Sequence, residues 1–122
     1  RLSGTESISI ELARSPIPAT GETSTPVYGI LVNESLEAMR VISASSPDAD
    51  NIDLLGPEDA VVLPAEGLVV RPDGGLVMEP VGFKLMLNGV DAVTIGSEIP
   101  VTLRFESGGS FDFNAVVQEA DQ

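Results

Sequence analysis

Chemistry has few places to start in this chain, because its 122 residues include no His and no Cys. A nucleophilic enzyme would need a hydroxyl beside a base, and without imidazole the base falls to a carboxylate or to Lys84, the only lysine. Ser43, Ser45 and Ser46 offer hydroxyls, but no pattern in the sequence brings them to Lys84. The residues fit a structural account without catalysis, so the expectation is a protein that is not an enzyme. Paired carboxylates for glycoside hydrolysis are compatible with the composition, yet so small a domain leaves little room for a cleft. Asp48-Ala49-Asp50-Asn51-Ile52-Asp53 presents oxygen ligands of the kind Ca²⁺ takes, but it lacks the central Gly and distal Glu of an EF-hand loop and reads as a solvated acidic turn. Glu58-Asp59 and Glu119-Ala120-Asp121 read as surface charge. Met86 carries a soft thioether two residues after Lys84; packing is the ordinary role for it, as for Met39 and Met78.

The net charge of -13, from 19 acidic and six basic residues, excludes nucleic acid as a partner, because nothing here neutralises a run of phosphates. An anionic membrane surface repels such a domain too. With 43% apolar residues, the chain is long enough for one core and too short for two, so residues 1–122 are expected to form a single domain, ordered from about residue 5 to 118 with short flexible termini. Without Cys there is neither a disulfide nor a thiolate ligand. No apolar run is long enough to span a membrane and none resembles a signal peptide, so the chain reads as a cytosolic fragment or a form stripped of its targeting segment.

The elements that must position these residues are strands. Alternating or apolar runs at Ser7 to Leu12, Val27 to Asn33, Ala38 to Ser45, Ile52 to Leu55, Ala60 to Leu63, Leu68 to Arg71, Leu76 to Glu79, Phe83 to Leu87, Val101 to Glu106 and Phe111 to Val117 are separated by Pro, Gly, Asn and Asp turns. The stretch Ser15 to Pro26 is expected as a loop, and the second and third strands as a hairpin-like unit around Asn33-Glu34-Ser35. A helical period appears only weakly, from Glu34 to Arg40. Leu85 and Leu87, or their alternates on that strand, together with Leu103 and Phe105, are the expected inter-sheet core. The class is all-β, with strand spacing typical of a sandwich or small barrel.

Several landmarks in this order resemble one family, the periplasmic copper chaperones called PCu(A)C. Ala13-Arg14-Ser15-Pro16 is similar to its A-R-P loop, Tyr28 to Asn33 to its Y-x-x-L-x-N strand, and Ser45-Ser46-Pro47 to its S-S-P turn. Pro72-Asp73-Gly74-Gly75 resembles its P-A-G-G turn, and Gly82 to Gly89 with Ile99 to Glu106 resembles its G-Y-H-L-M-L-x-G and V-P-L-T-L-x-F segments. The resemblance implies a single cupredoxin-like Greek-key β-sandwich and a cell-envelope address, in the periplasm or on a lipid anchor upstream of Arg1. Family members hold Cu(I) with His and Met, which suit this soft ion. Carried over, the H-x-M pair becomes Lys84-Leu85-Met86, the upstream His falls near Leu55, and the upstream Met falls near Val62 or Leu63. Only Met86 keeps a ligand. The resemblance therefore implies a non-enzymatic binding or assembly module for an envelope protein, with no cofactor expected. The alternative is a copper-handling chaperone in which Met86 is joined by non-family or partner-supplied ligands to Cu(I).

Overall fold

In the computed structural model, residues 7–63, 65–90 and 93–120 are described, so the expected flexible termini lie mostly outside the described residues. Nine strands follow in order among them: β1 (Ile8–Pro16), β2 (Thr25–Asn33), β3 (Met39–Ser45), β4 (Asn51–Leu55), β5 (Leu68–Val70), β6 (Gly74–Met78), β7 (Lys84–Asn88), β8 (Glu98–Phe105) and β9 (Ser110–Gln118). A 3-10 turn at Pro57–Asp59 follows β4. The strands share one sheet, in the order β4-β7-β2-β1-β9-β8-β3-β5, with β6 beside β2. Strand β2 is the hinge of this path. Its first residues, Thr25 to Val27, pair with β7, and Gly29 to Asn33 pair with β6, while β1 runs antiparallel along it. Strand β1 then meets β9 in parallel. Strand β3 packs near β4 and β5 near β6, so the sheet curls until its two ends approach and its inner face closes on itself.

Alternation explains that inner face. Strand β2 buries every second residue, as does most of β8, because successive side chains of a strand point to opposite faces. Leu85, Leu87 and Leu103 are fully buried, Phe105 nearly so, and Val27, Leu31, Val41 and Val101 join them in one cluster. Met39 and Met78 lie in this cluster too, as packing predicts. Among the described residues Asn33 is a fully buried amide. Its Nδ2 donates to Glu37 O (2.8 Å) and Val70 O (3.1 Å), and its Oδ1 accepts from Ser35 N (2.9 Å) and Ser35 Oγ (2.7 Å), tying β2, the following turn and β5 together. Gly75 is required by contact: a Cβ there would lie 2.6 Å from Leu31 O on β2.

Four expectations change. Strand β1 extends through Ser15-Pro16, into the predicted loop, because a bulge after Glu11 resets its register and the Ser15 hydroxyl donates to Pro26 O (2.8 Å). Strands β2 and β3 are not a hairpin, since β3 pairs with β5 and β8 across the fold. Residues 60–63 form no strand; only Val61 bridges to Leu55. Gly74-Gly75 opens β6 and is not merely a turn.

Candidate functional site

The sheet face opposite the core, across β4, β7, β2 and β1, carries the residues in question. Cross-strand pairs place Leu55 opposite Lys84, and Asp53 and Pro26 on either side of Met86. Directly opposed residues share a face, so Leu55, Lys84, Met86, Asp53 and Pro26 lie on the outer side, while Leu54, Leu85 and Val27 alternate inward. Arg14 is opposite Tyr28 one strand further on, and Pro16 is opposite Gln118.

An outward lysine would ordinarily be solvated, yet Lys84 is 3% exposed. The cover is the turn after β4. Gly56 N donates to Ala60 O (2.7 Å) and Val62 N to Leu54 O (2.8 Å), folding residues 56–62 back over the end of the strand. Glu58 and Asp59 both take left-handed backbone (φ 63° and 61°), a conformation that costs non-glycine residues of order 1 kcal/mol or more each. That geometry presents the Asp59 carboxylate to the Lys84 ammonium, and the two form a charge-assisted hydrogen bond. Leu55 is buried opposite Lys84, Val62 is half-buried and Leu63 is exposed. Met86 is half-buried. Beside it, Asn88 Nδ2 donates to Asp53 Oδ2 (3.0 Å) and Ser24 Oγ to Asn88 Oδ1 (3.0 Å).

The structure thus gathers Leu55, Val61, Val62 and Lys84 at one end of β4 and β7, with Met86 one step along the same face, while Leu63 is exposed and bonds to Glu66 and Gly67. It does not join Lys84 to the serines of 43–46: Ser43 and Ser45 belong to β3, and Ser46 Oγ accepts from Asp48 N (3.1 Å). No three of the described His, Cys, Asp or Glu residues converge on a metal position, so the Asp48 to Asp53 run gathers no Ca²⁺ site. Asp59 was expected as plain surface charge and is the partner of the buried lysine. Nothing in the sequence announces a pair 25 residues apart; the signal available is that a lone lysine in an apolar strand needs an anion. Of the acidic tail, Asp121 lies outside the described residues.

A family model described as "Putative lipoprotein LpqE-like" matches residues 8–117. The chain belongs to the LpqE-like family. No curated protein matches it. Among solved structures, the copper-bound PCuAC domain from PmoF2 superposes with a TM-score of 0.82 at 24% identity, covering 98% of this chain and 97% of that one. The apo form of the same PCuAC domain matches at 0.78 and 25% identity, over 95% and 93%. Cu(I)-bound DR1885 from Deinococcus radiodurans matches at 0.72 and 20% identity, over 98% and 85%. This LpqE-like domain therefore has the PCuAC fold, and the expected cupredoxin-like, all-β single-domain architecture holds. Among the described residues of the LpqE-like chain, no helix is long and apolar enough to cross a membrane.

Proposed function

We propose that this LpqE-like domain is a non-enzymatic binding or assembly module of the cell envelope, on a copper-chaperone scaffold whose copper site has been replaced by a protein cation. The observation that carries the reading is the buried Lys84, paired with the exposed Asp59 carboxylate and facing Leu55. A protonated lysine has no lone pair to give a metal and repels one, and leucine gives none either. One thioether, Met86, is a poor Cu(I) site by itself. The residues therefore do not fit the copper ion that the PmoF2 domain binds. The lipoprotein description of the family supports an extracytoplasmic address and a lipid anchor upstream. The partner is then an envelope protein, and nucleic acid is excluded by charge.

Titration of the purified domain with Cu(I) against a chromogenic chelator, with Met86→Ala in parallel, tests this directly. The expected result is no competition by either protein. A second reading, copper handling through Met86, draws on the half-exposed thioether beside the Asp53 carboxylate. Stoichiometric binding lost in Met86→Ala would put that reading first.

A further inference from the structure

Beyond Lys84, the same outer face holds a cleft of about 340 Å³ where β1, β2 and the end of β9 meet the turn after β6. Its lining includes Pro16, Pro26, Pro80 and Tyr28, together with Arg14 and Glu119. We propose that this cleft is a binding site for a small monocarboxylic acid with an apolar body, whose carboxylate pairs with Arg14.

The volume suits a small molecule. Arg14 is held from two directions: its guanidinium lies 5.6 Å from the Tyr28 ring centroid, and Nη1 donates to Leu12 O (3.0 Å). The backbone is distorted to achieve this. Leu12 takes a left-handed φ of 58°, and the β1–β2 register shifts between Glu11 and Arg14, which sets Arg14 opposite Tyr28. Bulges commonly re-aim a side chain in this way. Among the described residues the ion pairs are Arg40–Glu106 and Lys84–Asp59, so Arg14 has no carboxylate of its own. A guanidinium offers five N–H donors in a planar fork that matches a carboxylate, and one of them is used by Leu12.

The walls select the rest of the ligand. Proline rings present rigid apolar surface without an N–H, and they lose little entropy when a ligand arrives. A cationic ligand is disfavoured because Arg14 already lies over the Tyr28 ring. Glu119, also in the lining, disfavours a second negative charge on the ligand. Pro26 also neighbours Met86 across the strands, so the cleft adjoins the residues of the copper question without containing them.

The test is a ¹⁵N–¹H NMR titration of the domain with 3-phenylpropionate and, separately, with its neutral amide. Saturable shifts are expected at Arg14, Ser15, Tyr28, Gln118 and Glu119, with a Kd of about 1 mM or tighter for the acid. The amide and the Arg14→Gln variant should each bind at least about tenfold more weakly, and Arg14→Lys should recover only part of the loss because it keeps the charge without the fork. Met86→Ala should bind the acid normally, which separates this site from copper binding. Equal binding of acid and amide, unchanged affinity in a folded Arg14→Gln, or no saturable shift with 3-phenylpropionate would each overturn the proposal. Should Arg14→Gln fail to fold, full affinity in Arg14→Lys would overturn it equally.

Discussion

The two sides of β7 obey different rules. Leu85 and Leu87 point into the core and vanish from solvent, where only size and apolarity matter; Lys84, Met86 and Asn88 point outward, where each has a specific neighbour. Five consecutive residues thus carry both a stretch of the shared PCuAC fold and, by the resemblance to PCu(A)C, the positions where that family's H-x-M pattern would stand. A core is constrained by packing density, which many apolar sequences can meet, whereas a metal site is constrained by ligand identity at particular positions. A scaffold can therefore persist while the chemistry on its outer face is rewritten.

The sharpest way to test the contrast is to write the ligands back. Leu55 and Lys84 are directly paired, which places their Cβ atoms about 5 Å apart, so Leu55→His with Lys84→His would set two imidazoles together near Met86. Cu(I) competition should rise from none in the parent domain to about micromolar or tighter, at least roughly a thousandfold gain. No gain in a folded double variant would mean that the outer face has changed in shape as well as in ligands.

Core truncation comes next in size. Leu85→Ala should cost about 2–5 kcal/mol in denaturant unfolding, since it leaves a cavity in a fully buried cluster. A loss below about 0.5 kcal/mol would class the position with surface sites and erase the two-faced description of β7.

The ion pair should matter less, and asymmetrically. Asp59 is largely exposed, so water partly replaces it; Asp59→Asn should cost about 1 kcal/mol by leaving a buried ammonium poorly neutralised. Lys84→Met removes the demand for an anion altogether and should cost less than Asp59→Asn. If Lys84→Met proved the more damaging change, the lysine stem would be filling space that methionine does not match. Met86→Ala, on the half-buried outer side, should have the smallest effect of the set, below about 1 kcal/mol by the same unfolding measurement.

The strands and the inner core were legible because period-2 alternation is a local signal. Alternation alone put Leu103 and Phe105 inward and left Leu85 and Leu87 or their alternates as the inner set, a choice that the burial of Leu85 and Leu87 decides. Strand pairing was not legible at the same level. The short link between β2 and β3 suggested a hairpin, but β2 pairs with β1, β6 and β7, and β3 with β5 and β8. Residues 60–63 looked like a strand because they are apolar; they instead return the turn that carries Asp59 to β4, through the Val61 bridge to Leu55 and the bond from Val62 N to Leu54 O, which no local pattern encodes.

By itself the sequence determined the all-β class, the single domain, the strongly negative net charge, the strands that supply the core and the absence of His and Cys. Each of these depends on composition or on spacing within a few residues. Tertiary structure alone decided that Asp59 neutralises Lys84, that Leu55 stands opposite it, and that a bulge in β1 sets Arg14 over Tyr28. Those are contacts between segments distant in the chain, and they exist only once the sheet has curled to bring its strands into register.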